Sequence, residues 1–156
     1  MKLGKSFIIL SILIGSGMLS VIQAQEKKIK REELPAAVEK TVSEQSKGAT
    51  IKGFSTEIDK GKTIYEAELT VNGHAKDISM DEHGNIVEVE EEVSMDSLPA
   101  AVQEGLKKSA GIAVIGKVES LTKNGKLVAY EAEVKDKTKH REIQVGPDGS
   151  KLAHPE

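Results

Sequence analysis

The sequence contains no cysteine and no tryptophan, and only two phenylalanines and two tyrosines among its 156 residues. The absence of cysteine excludes disulfides, thiol chemistry and lipid attachment at a cysteine. Because aromatic residues are so few, the core must rely on Val, Ile, Leu and Ala, and we expect a modest stability. A basic charge balance is also lacking, since the formal net charge is −3. This balance argues against a nucleic-acid partner.

The N-terminal segment carries the longest apolar run of the sequence, which begins at Phe7 and continues to Ala24. Lys2 and Lys5 precede this run, a pattern typical of a secretory signal peptide. We expect cleavage after Ala24, which would give a periplasmic or secreted protein with no stable membrane insertion. The alternative is an uncleaved anchor of about 18 residues. Residues 15–17, Gly-Ser-Gly, interrupt the apolar run and argue against that alternative.

Two short motifs occur twice in the sequence. Leu-Pro-Ala-Ala-Val occupies residues 34–38 and again residues 98–102, and Tyr-Glu-Ala-Glu followed by Leu or Val occupies residues 65–69 and 130–134. The two copies of the Tyr-Glu motif are one residue further apart than the two copies of the Leu-Pro motif. We therefore predict two copies of one module, with one inserted residue in a loop after Lys126.

The predicted organisation follows from these motifs. A signal peptide, residues 1–24, and a polar lead, residues 25–32, precede a first repeat, residues 33–92, and a second repeat, residues 93–156. The fold class is α+β, with two tandem modules that each pack one helix on a four-stranded antiparallel sheet. Residues 88–92 contain four glutamates, and we interpret them as a charged linker between the modules.

Strand signals follow each predicted helix. Asn72-Gly73 predicts a two-residue hairpin turn, and the spacing of apolar residues predicts β-bulges near Gly53 and Gly116. In the first copy the strands cover 49–59 and 62–71, then a strand with Ile78 and Met80, then a strand with Val87 and Val89. In the second copy they cover 112–122, 126–135, 139–145 and 150–153.

Glutamates alternate with apolar residues along several strands, which predicts a sheet with one wet face. We predict that Glu66, Glu68, Glu131 and Glu133 form an acidic recognition face for a basic protein, because complementary charge speeds encounter and sharpens selectivity. The alternative is a solvated face that prevents aggregation. Further acidic residues expected on the outer faces are Asp77, Glu88, Glu90 and Glu142.

Metal and catalytic motifs are not found in the sequence. The four histidines, His74, His83, His140 and His154, show no paired ligand spacing, and residues 81–85 are too short for a calcium loop. Weak calcium adsorption at residues 88–92 is possible, but a charged linker explains them better. We find no nucleophile elbow and no Gly-rich phosphate loop. The sequence therefore predicts a protein that is not an enzyme and has no metal site and no cofactor.

Tyr65 and Tyr130 occupy equivalent positions in the two copies and point to the predicted inner face. We interpret both as core residues whose rings supply bulk next to small alanines. A role as ligand platforms is the alternative.

The duplicated motifs resemble the PepSY-like family, and more closely its β-lactamase-inhibitor-like (BLIP-like) branch. This resemblance implies small exported α+β modules, sometimes in tandem, that bind and inhibit envelope proteins such as peptidases. The second candidate function is a soluble periplasmic binder of small molecules or cations. The matching residues are Leu34, Pro35, Val38, Gly61, Lys62, Tyr65, Glu66, Glu68, Asp81 and Gly84, and then Leu98, Pro99, Val102, Gly125, Lys126, Tyr130, Glu131, Glu133, Asp148 and Gly149.

Overall fold

The computed structural model describes residues 26–137 and 139–156, so the predicted signal peptide, residues 1–24, lies outside the described residues. The helices are α1 (Ala36–Gln45) and α2 (Ala100–Ala110). Neither of these helices is long and apolar enough to cross a membrane. The strands are β1 (Lys27–Ile29), β2 (Thr50–Asp59), β3 (Lys62–Val71), β4 (His74–Met80), β5 (Ile86–Glu92), β6 (Val114–Lys123), β7 (Lys126–Asp136) and β8 (Lys139–Val145).

All eight strands form one continuous antiparallel sheet in the order in which they occur along the chain. The prediction of two four-stranded modules is therefore wrong. β5 pairs with β6 from Glu88 opposite Lys123 to Glu92 opposite Glu119, which joins the two halves of the chain. Pairing satisfies the backbone N–H and C=O groups that a separate module would leave open along β5.

Three local predictions also need correction. The polar lead contains β1, which pairs with β2 and places Ile29 opposite Phe54. The predicted linker, residues 88–92, is the end of β5. The predicted strand at 150–153 is reduced to a single bridge between Lys151 and Val145.

Other local predictions are confirmed. The pairing register shifts between Ile51 and Gly53 on β2 and between Ile115 and Val118 on β6, where the bulges were expected. The turn at Asn72-Gly73 has positive φ at both residues, as a type I′ hairpin requires. The inserted residue of the second half, however, lies within β7. Leu121 pairs with Ala129 and Thr122 pairs with Leu127, so Val128 forms a bulge in the strand and not a loop.

Two hydrophobic cores lie on one side of the sheet, each under one helix. Val38 and Val42 of α1 pack with Leu69, Ile78 and Met80 in the first core. In the second core, the buried α2 residues Val102, Leu106 and Ala110 pack with five buried strand residues: Val118, Ala132, Val134, Ile143 and Val145. Tyr65 and Tyr130 pack against these cores as half-buried residues, which confirms their predicted position on the inner face.

A glycine turn fixes each helix to the sheet. Gly84 and Gly149 both have positive φ, and a Cβ at either position would overlap a helix carbonyl, that of Ala37 or Ala101. A Cβ at Gly105 of α2 would overlap the carbonyl oxygen of Gly149. Glycine is thus needed inside α2 for close approach of the turn, although it lowers intrinsic helix stability.

Candidate functional site

One side of the sheet carries most of its carboxylates. Alternate residues of a strand point to opposite sides, and directly paired residues of neighbouring strands share a side. The helices and both cores occupy the side that carries Ala67, Ile78 and Val118. The opposite side, which we call the acidic face, carries Glu57, Glu66, Glu68, Asp77, Glu88, Glu90, Glu92, Glu119, Glu131, Glu133 and Glu142.

The four predicted binding residues lie on the acidic face, at two separate places. Glu66 and Glu68 belong to β3, and Glu131 and Glu133 belong to β7. β4, β5 and β6 lie between these strands, so four interstrand spacings give a separation of roughly 19 Å. The continuous sheet thus joins the two predicted pairs into one surface.

The centre of the acidic face holds the closest group of carboxylates. Asp77 on β4, Glu90 on β5 and Glu119 on β6 each offer a carboxylate oxygen, and these oxygens lie within 4.8 Å of one another. We call these three residues the central triad. In the described part of the chain this is the one group of His, Asp and Glu residues that could hold a metal ion. The prediction of no metal site took no account of this group, because its three strands meet only through the pairing of β5 with β6.

Sequence reasoning placed Asp77 and Glu90 on outer faces but missed Glu119. A signal for Glu119 was available, because it directly follows the inward-facing Val118 on the strand and so must face the other side. The bulge near Gly116 obscured this alternation.

Burial and mutual repulsion disfavour ionisation across the acidic face. Burial, and then the charge of Asp77, raises the pKa of Glu66 to about 8. Burial, followed by Glu88 and Glu119, raises the pKa of Glu90 to about 9. Leu121 lies directly opposite Glu90 on β6 and supplies an apolar neighbour. A negative charge at these positions is therefore unfavourable in the folded protein.

The same effects extend over the rest of the face. Burial and then Glu119 raise the pKa of Asp77 to about 6. Burial, with Glu131 and Glu133, raises the pKa of Glu142 to about 7. For Glu131, burial raises the pKa although a hydrogen bond from Gln144 opposes the shift. The acidic face is thus short of positive charge over several strands.

Two lysines partly balance these carboxylates. Lys123 Nζ lies 3.4 Å from a carboxylate oxygen of Glu88. Lys117 Nζ lies 2.9 Å from Glu119 Oε1 and 3.9 Å from Glu133 Oε1. Burial lowers the pKa of Lys117, but its contacts with these two glutamates outweigh burial and raise it overall. One ammonium group therefore serves the central triad and Glu133 together.

The comparison with known proteins identifies relatives by sequence and by fold. The family described as beta-lactamase-inhibitor-like, PepSY-like matches residues 16–88 and 63–149. A BLIP-like protein from Bacteroides fragilis shares the fold with 24% identity and a TM-score of 0.58, over 78% of this chain and 85% of that one. A protein from Bacteroides eggerthii described as periplasmic shares it with 19% identity and a TM-score of 0.61, over 75% and 84% of the two chains. No protein with a curated description matches the chain.

The two regions matched by the family overlap and together span most of the sequence. This extent confirms the resemblance that the Leu-Pro and Tyr-Glu motifs predicted. The chain belongs to the beta-lactamase-inhibitor-like, PepSY-like family.

Proposed function

We propose that this protein is an exported, non-catalytic binding protein whose acidic face receives a basic surface of an envelope or secreted protein. The observation that carries this proposal is the density of carboxyl groups on that face, where the three carboxyl groups of the central triad meet between two further acidic pairs. Lys117 pairs with Glu119 and Glu133, and Lys123 pairs with Glu88. A basic partner would supply the missing positive charge.

The raised pKa values of carboxyl groups on this face support the same proposal. Glu66 and Glu90 have pKa values of about 8 and about 9, so their charged forms are disfavoured when the face is free. A cationic side chain placed against them would stabilise the charged forms and lower these pKa values. A solvated face that only prevents aggregation would not need carboxylates this close to one another.

Export is part of the proposal, and inhibition of an envelope enzyme such as a peptidase is its most specific form. Support for export comes from the apolar N-terminal segment and from the relative described as periplasmic. Support for inhibition comes from the family and from the BLIP-like relative. N-terminal sequencing of the exported protein tests the cleavage after Ala24, and an Edman sequence that begins elsewhere would contradict it.

The test of partner binding is a crosslinking pull-down from an envelope extract at low and moderate salt. The bait is the purified protein, compared with a variant in which Glu66, Glu68, Glu131 and Glu133 are replaced by lysine. The matched control reverses four exposed acidic residues outside the face: Glu44, Glu82, Asp96 and Glu104. Both variants change the net charge equally, so the comparison isolates the position of the charge.

We expect one dominant partner that weakens with salt, survives the control substitutions and is lost with the reversed face. Circular dichroism melts establish that each variant is folded before it is used. Retention of the partner by the reversed face would refute the proposal, and so would equal loss from the control variant. Added to the isolated partner enzyme, the purified protein should then lower its activity, which tests inhibition separately.

A further inference from the structure

Two large apolar side chains are exposed where α2 leads into β6. Ile112 is 92% exposed and lies in the turn after α2, and Val114 is 71% exposed and begins β6. We call these two residues the apolar tip. A single exposed apolar residue needs no explanation, but two in the same loop raise the question of what covers them.

The first half of the chain makes the same turn without an apolar tip. In both turns an alanine amide donates a hydrogen bond to a carbonyl three residues earlier: Ala49 to Ser46 at 3.0 Å, and Ala113 to Ala110 at 3.1 Å. At the spacing of the two Leu-Pro motifs, the positions equivalent to the apolar tip are Gly48 and Thr50. The fold therefore does not require the two apolar side chains of the second half.

Basic side chains from α2, β7 and β8 surround the apolar tip. Lys135 of β7 lies directly opposite Val114. Arg141 of β8 donates hydrogen bonds to the carbonyl oxygens of Ser109 and Ala110, at 3.3 Å and 3.2 Å, and so connects β8 to the end of α2. The exposed basic residues at this end, which we call the basic rim, are Lys107, Lys108, Lys135, Lys139 and Arg141.

The basic rim is also a property of the second half. The last turn of α2 carries two lysines, whereas the last turn of α1 carries no basic residue. Val114 faces Lys135, but the equivalent Thr50 faces Thr70. Asp136 of β7 offsets one charge of the rim. Apolar surface and positive charge thus occur together at the end of the second half.

We propose that the apolar tip and the basic rim dock the exported protein on an anionic lipid bilayer. Exposed aliphatic side chains enter the boundary between headgroups and acyl chains, and basic side chains are attracted to anionic headgroups. The long stems of lysine stay with apolar surface while their ammonium groups reach the phosphates. A protein partner fits this end less well, because lysine is depleted in protein interfaces and aromatic residues are enriched there.

Docking through this end leaves the acidic face free. The tip lies at the end of the strands, and Glu119 of the central triad lies roughly 15 Å further along β6 than Val114. The negative charge of the acidic face also disfavours an approach of the sheet itself to anionic lipid. The proposal rests on export but not on the protein partner, and N-terminal sequencing tests export separately.

Co-sedimentation of the purified exported protein with vesicles tests the proposal. Vesicles of phosphatidylcholine alone are compared with vesicles of phosphatidylcholine and phosphatidylglycerol in equal parts. We expect binding to the anionic vesicles and not to the neutral ones. Binding should weaken as salt is raised from about 0.05 M to about 0.5 M, because salt screens the charge of the rim.

Substitution of the apolar tip tests its role directly. Ile112→Ser combined with Val114→Thr should lower the partition coefficient by about tenfold or more, because both aliphatic side chains lose their favourable transfer from water. Ile58→Ser is the matched control, since Ile58 is also a largely exposed aliphatic residue but lies at the opposite end of the sheet. This control should change the partition coefficient by less than about twofold.

Substitution of the basic rim tests the electrostatic part. Lys135→Gln combined with Lys139→Gln should lower the partition coefficient by about tenfold, because each basic residue near the surface contributes to the attraction. Lys60→Gln combined with Lys126→Gln is the control, since these exposed lysines lie at the opposite end of the sheet. Both double variants remove the same charge, so the comparison isolates its position.

A tryptophan reporter shows whether the tip enters the bilayer. The sequence contains no tryptophan, so Ile112→Trp supplies a single one, with Ile58→Trp as its control. Anionic vesicles should shift the emission of Ile112→Trp to shorter wavelength and leave that of Ile58→Trp unchanged, because residue 112 alone enters an apolar environment.

Several results would overturn the proposal: no binding to anionic vesicles, equal binding to neutral vesicles, or equal loss in the tip variant and Ile58→Ser. If vesicles do not bind and analytical ultracentrifugation shows a dimer that Ile112→Ser with Val114→Thr abolishes, the tip belongs to an interface between copies. Circular dichroism melts establish that each variant is folded before it is used.

Discussion

Neutralising Glu90 should stabilise the protein at neutral pH and have little effect in acid. Burial and then the neighbours Glu88 and Glu119 raise its pKa from 4.5 to about 9. Between these values the folded protein keeps the Glu90 proton while the unfolded chain releases it. The unfolded state therefore binds fewer protons, and the free energy of unfolding falls as pH rises through this window. Glu90→Gln removes this loss because glutamine has nearly the same shape and no charge.

The size of the effect follows from the shift. Each pH unit inside the window lowers the free energy of unfolding by at most about 1.4 kcal/mol. From about pH 5 to about pH 7.5, Glu90 alone accounts for at most about 3.5 kcal/mol. Asp77 shares this repulsion, and side chains relax, so we expect about 1–2 kcal/mol of stabilisation from Glu90→Gln at about pH 7.5.

Urea unfolding in EDTA, followed by circular dichroism, measures this difference at both pH values. Glu104→Gln is the control, because it makes the same Glu-to-Gln substitution on the exposed surface of α2. We expect this control to change the stability by less than about 0.5 kcal/mol. The unaltered protein should be more stable at about pH 5 than at about pH 7.5. Equal stability at the two pH values, or equal stabilisation by Glu90→Gln at both, would refute the reasoning.

Two further substitutions test the packing of the helices and the core. Gly105→Ala should destabilise the protein in urea unfolding, because the alanine methyl group would overlap the Gly149 carbonyl. This overlap should outweigh the preference for alanine over glycine in a helix, which is about 1 kcal/mol. A more stable variant would contradict this contact. Tyr65→Ala should cost about 1–3 kcal/mol, less than the roughly 3–5 kcal/mol of a fully buried ring, because Tyr65 is half-buried. Loss of partner binding without loss of stability in Tyr65→Ala would show that the ring is not a core residue.

Local sequence signals predicted the elements of the fold well, for physical reasons. The apolar stripe that contains Val38 and Val42 predicts α1. Few residue pairs readily adopt positive φ at both positions, so Asn72-Gly73 predicts the hairpin turn. The bulges near Gly53 and Gly116 follow from an apolar spacing of three where a regular strand requires two. Each of these signals is contained in a few consecutive residues.

The pairing of β5 with β6, which joins the two halves, could not be predicted from the sequence in the same way. Alternation along β5 indicates which side each residue faces, but not which strand pairs with its far edge. The glutamates of residues 88–92 also resemble a linker, since glutamate is uncommon in strands. In the structure, cross-strand contacts compensate for them: Lys76 Nζ lies 2.7 Å from Glu91 Oε1, and Lys123 lies near Glu88. The three-residue strand β1 is too short to give a pattern at all.

The pairing of β5 with β6 also determines where function is to be sought. Asp77 and Glu90 come from the first half of the chain and Glu119 from the second, so the central triad exists only in the joined sheet.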